Sequence, residues 1–163
     1  PEGDPTDLET SLEVSLDASS ESYPLHTFNL LNNGVMEKIA KAFKLQPSEI
    51  AGTTLDAGTV KADGFSGPAD GKVAVGLTNP DGKVSYAYSA NGIGFWIAAD
   101  GTASSWGDAP IYYEYDAGGY GLTVGHNPGH SEKGKTYIIK PTMVYNKGGK
   151  LHKAVITIKM KFA

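Results

Sequence analysis

The feature that most restricts this chain is a rhythm of tight turns. Asp70-Gly71, Asp81-Gly82, Asn91-Gly92, Asp100-Gly101, Gly118-Gly119, Pro128-Gly129 and Gly148-Gly149 punctuate the chain beyond Gly52, most of them at steps of about 10 residues. Such dipeptides supply the backbone conformations that hairpins need. The segments between them include KVAVGLT, KVSYAYS, IGFWIAA, IYYEYDA and YGLTVG, rich in the β-branched and aromatic residues that suit a pleated surface. Short antiparallel strands in a sandwich or barrel follow. No stretch repeats itself at a period of ~20–50 residues, which excludes a propeller or a solenoid.

Two longer strands close the chain, KTYIIKPTMVYN and LHKAVITIKMKFA. In the last, Ile156, Ile158, Met160 and Phe162 alternate with Lys153, Thr157, Lys159 and Lys161, an apolar face for a core and a lysine face for water. Pro141 predicts an edge position or a bulge in the strand before it. A first strand is expected from Leu12 through Val14 and Leu16. Its predecessor, residues 1–10 (PEGDPTDLET), holds two prolines and four acids and reads as a flexible acidic leader or tether. One helix is predicted over residues 34–45. Val35, Met36, Ile39, Ala42 and Phe43 form its stripe, Lys38, Lys41 and Lys44 lie off it, and Pro47 stops it near Gln46. The expected fold is therefore mostly β: an antiparallel, jelly-roll-like β-sandwich over residues 11–163 with one helix docked on a sheet face or across an end.

Composition removes whole classes of function. The 163 residues contain no cysteine, which excludes disulfides, zinc ribbons and thiol nucleophiles. All 14 basic residues are lysines and the net charge is −4, so nucleic acid is not an expected partner. IAKAFKLQPSEIAG resembles the start of a helix-turn-helix, but GTTLDAGTVKADG after it cannot be a recognition helix. No apolar run approaches the ~20 residues of a membrane span. Neither G-x-S-x-G nor G-x-x-x-x-G-K-[ST] occurs. His126 and His130 have an H-x3-H spacing, zinc-like on a helix, but Pro128 and Gly129 turn the chain between them. They are expected as exposed loop histidines; His26 and His152 receive no role, and no metal or cofactor is expected.

The candidate surface lies between Val73 and Tyr120. A period of two puts Val73, Val75 and Leu77, then Val84, Tyr86 and Tyr88, then Ile93, Phe95 and Ile97 on core-type faces. Opposite them stand Ala74, Gly76, Ser85, Ala87, Ser89, Gly94 and Ala98, with Trp96 the single large side chain. If these strands are neighbours, one indole lies on a shelf of small residues. It is then either a sugar-stacking platform or the seat of the helix stripe. Tyr113 and Tyr115 share a face with Ile111 and read as core, while Tyr112 shares the other with Glu114 and Asp116. Trp106, Asp108, Tyr112 and Tyr120 are expected as an aromatic and carboxylate patch near one end of the sheet. Glu114 and Asp116 are also spaced as a glycosidase pair, as any two alternate acids on a strand would be.

The segment from Tyr23 to Phe162 carries YPLHTFNLL, then GFWIAADGTASSWGD, then VGHNPGHSEKGKTYIIKPTMVY. In these it resembles a domain of unknown function that recurs in secreted and surface-anchored proteins of glycan-degrading gut bacteria. The resemblance implies a β-sandwich, export, lipoprotein-style tethering and work near polysaccharides. The acidic leader and the lack of cysteine agree with a lipid anchor lying outside these residues, which is the only expected link to a membrane. The resulting expectation is a non-catalytic, extracellular or cell-surface module that binds oligosaccharide or polysaccharide through Trp96, Trp106, Asp108, Tyr112, Glu114 and Tyr120. The alternative is a structural or adhesive domain that holds protein partners and has no affinity for sugars.

Overall fold

The computed structural model describes residues 3–18, 25–54, 67–86, 93–116 and 118–163. Within them the chain forms two facing sheets. The first orders its strands β1 (Leu8–Leu16), β11 (Lys150–Phe162), β10 (Pro141–Lys147), β3 (Val73–Thr78) and β4 (Val84–Tyr86), with β9 (Thr136–Ile139) also paired to β11. The second orders β2 (Leu25–Asn29), β8 (Gly121–His126), β7 (Ile111–Asp116), β5 (Ile93–Ile97) and β6 (Ala103–Ser104). The turn dipeptides fall where the rhythm put them, with Gly82, Gly101, Gly129, Gly148 and Gly149 all at positive φ; Asn91-Gly92 lies outside the described residues, as do Ala87, Tyr88 and Ser89.

β11 anchors the first sheet. Its inward residues Ala154, Ile156, Ile158, Met160 and Phe162 are all buried, and Lys159 and Lys161 face out. β1 lies beside it in parallel, with Leu12 opposite Ile158 and Leu16 opposite Phe162, the one exception to the antiparallel pattern among the described strand pairs. Cross-strand Glu13 and Lys161 pair at the surface, and that ammonium holds the Glu13 carboxyl below its ordinary range. β1 begins at Leu8, inside the stretch expected as a leader. Thr6 donates its backbone N–H to Ala42 O at 2.7 Å, and Asp7 accepts from Lys153 N at 2.9 Å. One backbone bond and one carboxylate bond thus tie residues 6 and 7 to Ala42 and to β11. Pro141 is neither at an edge nor in a bulge: Ile139 faces Ile158 and Thr142 faces Val155 in one unbroken register. The ladder simply pauses where proline has no N–H to give.

The helix runs from Val35 to Phe43 (α1) and buries Val35, Met36, Ile39, Ala40 and Phe43. Asn33 Oδ1 accepts from Val35 N at 3.0 Å, and Lys44 ends it in the left-handed conformation. A second helix follows, α2 (Pro47–Thr54). The proline read as a stop is also a start, because its missing N–H is no loss in the first helical turn. Glu49 Oε1 reaches back to Gln46 N at 2.9 Å, half of a capping box. α1 packs on β1 and β11 and α2 on β3, with Phe43 5.4 Å from Tyr145. The helix stripe therefore closes the core beside the first sheet and does not seat on Trp96.

The expected three-stranded shelf is not formed. β3 and β4 belong to the first sheet and β5 to the second. Gly76 faces Tyr86 and Thr78 faces Val84, so Val84 and Tyr86 share the outer face with Gly76, opposite Val73, Val75 and Leu77. Burial raises the Tyr86 phenol.

Two tyrosines of β7 test how the sheets are joined. The Tyr113 hydroxyl crosses the core and donates to Gly76 O, whereas the buried Tyr115 hydroxyl has no hydrogen-bond partner among the described residues. Burial raises both phenols. Tyr113→Phe should cost about 1–2 kcal/mol, and Tyr115→Phe should be neutral or slightly stabilising, because only the first removes a made bond. Urea unfolding of the two variants reads this directly; an equal loss in both would refute the assignment of Tyr113 as the inter-sheet tie.

Candidate functional site

The outer face of the second sheet is built from strand alternation. β7 sends Ile111, Tyr113 and Tyr115 into the core and presents Tyr112, Glu114 and Asp116 on the other side. Register places Leu25, Gly125, Tyr112, Trp96 and Ser104 in one row across the five strands, and Thr27, Thr123, Glu114 and Gly94 in the next. Glycines make that face flat. A Cβ on Gly125 would lie 2.3 Å from the Tyr112 ring, and one on Gly94 would lie 3.3 Å from Glu114 Cγ. Tyr112 therefore lies down over β8, and the stem of Glu114 lies over β5. The Thr27 and Thr123 hydroxyls meet at 2.8 Å between them.

Trp96 is half-buried, its ring edge-on to Tyr112 at 5.4 Å. Tyr112 is only 8% exposed, so it supports the indole and offers little surface of its own. Trp106 is the open ring, 55% exposed. It begins the 3-10 turn Trp106–Asp108 between β6 and β7, two residues after Ser104, the register partner of Trp96. One strand pair plus two residues puts the two tryptophan backbones within roughly 12 Å of each other. Both indoles thus lie at one end of the sheet.

The mount of Trp106 is rigid. Buried Asn127 donates from its amide to Trp106 O at 3.1 Å and to Ala109 O at 2.6 Å, and Asn127 N donates to Pro110 O at 2.8 Å. His130 stands edge-on to the indole at 5.8 Å. Asp108, exposed, closes the same turn by donating its N–H to Ser105 O at 3.1 Å.

The expected patch is divided. Trp106 and Asp108 precede β7, while Tyr120 follows it at the far end, in the turn into β8, with φ 58°. Tyr120 is half-buried against the core and accepts Leu30 N at 2.9 Å through its carbonyl. A six-residue strand separates the two groups by about 20 Å. Asp116 bends back over its own turn, where a Cβ on Gly119 would meet Oδ2 at 2.8 Å. The Glu114 stem lies over Gly94 of the neighbouring strand instead. Asp100 lies in the β5–β6 turn, accepts from Thr102 N at 2.9 Å, and is held below the ordinary carboxylate range by those Thr102 hydrogen bonds.

His126 is a correction. It was expected exposed and is fully buried, because alternation along β8 aims it inward, where it contacts Phe162 at 5.7 Å and bonds Ser131 Oγ. His130 alone of the pair is exposed. Asn127, His130 and Gly125 are the site residues that sequence reasoning missed. Only the His-Asn-Pro-Gly-His turn signal could have flagged the first two.

The family model described as "Domain of unknown function (DUF4859)" matches residues 22–150, which include β2, both helices and every strand from β3 to β10. No curated protein and no solved structure matches the chain.

Proposed function

The chain belongs to this family, whose description assigns no activity, and from the surface itself we propose that it is a non-catalytic module that captures carbohydrate through the tryptophan end of its second sheet. The observation that carries the reading is Trp106: an open indole, fixed at its carbonyl by a buried asparagine, in a turn that also carries the exposed Asp108. Pyranose C–H groups stack on such a face, and adjacent carboxylates and amides take the hydroxyls. Trp96, supported by Tyr112, and Glu114 extend the same end. The module acts outside the cell, at a surface where glycans are gathered, and is tethered by a lipid anchor beyond these residues. Gut bacteria that degrade polysaccharides are the setting that the sequence resemblance suggests.

One stacked ring with a few hydrogen bonds gives dissociation constants of about 10 µM to 1 mM. Tryptophan fluorescence titrated with a broad oligosaccharide panel tests the reading. Trp106→Ala should weaken binding about tenfold, near 1.4 kcal/mol, without changing the unfolding midpoint, and Trp96 should still report. A flat response across neutral, acidic and amino glycans would leave the alternative standing: a structural or adhesive domain that holds protein partners.

A further inference from the structure

Charge is segregated between the two sheets. From Val84 to Glu132 the sequence contains no lysine and no arginine, but does contain Asp100, Asp108, Glu114, Asp116 and Glu132. That stretch supplies β5, β6, β7 and β8, and β2 adds no charge. The first sheet carries the cations instead, with Lys147, Lys150, Lys153, Lys159 and Lys161 in β10 and β11 alone. The lysines nearest in sequence to Trp106's neighbour His130 are Lys133 and Lys135, and Lys135 Nζ lies 3.5 Å from Glu132 Oε2. Asp108, Glu114 and Asp116 are all exposed.

We infer that this face selects glycans without anionic groups, and that Asp108 and Glu114 are its repulsive element against uronic-acid and sulfated polysaccharides. The inference rests on the carbohydrate reading above and narrows its ligand class. Recognition of a carboxylate or sulfate needs a guanidinium, an ammonium or a row of N–H donors. The strands of this sheet offer no cation, and their flat outer face offers carboxylates that accept from sugar hydroxyls and repel acidic rings. Discrimination by a built-in clash is the ordinary route to specificity where stacking is indifferent to ring charge. The row Thr27, Thr123, Glu114, Gly94 crosses four strands, a path of roughly 14 Å, enough for a short run of pyranose rings.

A close pair of like charges at the surface weakens binding roughly fivefold, so an oligomer charged on every ring and meeting both carboxylates should bind ten- to thirtyfold more weakly than its neutral counterpart. The experiment titrates the intact chain, by tryptophan fluorescence and calorimetry, with neutral hexose oligosaccharides, oligogalacturonides and sulfated oligosaccharides of matched length. Neutral oligomers should bind best at low ionic strength. At about 1 M salt, where the screening length shrinks to about 3 Å, the gap should close, and Asp108→Asn with Glu114→Gln should narrow it at low salt. Anionic oligomers binding as tightly as neutral ones, or a gap that survives both salt and the two substitutions, would overturn the inference while leaving the carbohydrate reading intact. Binding of no oligomer of any charge overturns both.

Discussion

Gly125→Ala is expected to weaken glycan binding at least tenfold while leaving the sandwich folded. A methyl group at this position would sit 2.3–2.4 Å from Cε1, Cζ and the hydroxyl of Tyr112, contacts that real atoms do not tolerate. What gives way is the far end of a side chain on the outer face, so β7 and β8 keep their register and the Tyr112 ring swings off its seat. Trp96 then loses the edge-on partner that holds it at 5.4 Å. Loss of part of the Tyr112 burial should cost about 1–2 kcal/mol, well inside the margin of a domain with 5–15 kcal/mol of stability. The near-ultraviolet circular dichroism should change, and affinity should fall at least tenfold. Tyr112→Phe, which keeps the ring and only removes its hydroxyl, should bind within about threefold of the parent. If Gly125→Ala binds as the parent does, the Tyr112–Trp96 pair has no part in the site and Trp106 acts alone.

The contrast between Gly125 and Tyr112 shows what the sequence could and could not say. Alternation along β7 and β11 was readable because one face of each strand must be apolar and the other is free, and Tyr113, Tyr115, Ile156 and Ile158 obey it. The even turns were readable because each demands a glycine or a short polar residue. Which sheet a strand joins is a different kind of fact. β4 and β5 are consecutive, carry similar patterns and yet lie in opposite sheets, and no local propensity separates those outcomes. The shelf drawn beneath Trp96 failed for that reason. Its glycines come instead from Gly94 and from Gly125, a residue of β8 distant in sequence. Tyr120 was misplaced because β7 had to be given an end before the patch could be given a side. Asn127 was invisible as a clamp, since its two amide bonds go to backbone carbonyls of another loop. α2 was missed because its N-cap is Gln46, outside the usual capping residues.

Gly76→Ala should destabilise the protein strongly, for a reason opposite to that at Gly125. Here the added Cβ would lie 2.5 Å from Ser85 O and 2.9 Å from Val84 Cγ1. The first of these is backbone, held in the β3–β4 ladder by the pairing of Leu77 with Ser85, so no rotamer change relieves it. β4 must move, and Asn79 moves with it, whose amide donates to Ser85 Oγ and Lys83 O while its Oδ1 accepts Ala103 N, all at 2.9 Å. That asparagine joins the edge of the first sheet to β6 of the second. On the other side, Gly76 O is the acceptor of the Tyr113 hydroxyl, so a shift of β3 strains the inter-sheet tie as well. Overpacking against a fixed neighbour costs about 1–3 kcal/mol and weakening one buried hydrogen bond about 1 kcal/mol more. A total near 3 kcal/mol corresponds to a fall in melting temperature of roughly 6–12 °C for a domain of this size. Gly107→Ala is the control, since nothing lies within 4 Å of a Cβ there, and it should leave the midpoint within about 1–2 °C. Thermal unfolding of the two variants decides the matter. Equal midpoints would mean that β4 is not held against β3 at Gly76, and that the tie from Asn79 to β6 carries no strain from one sheet to the other.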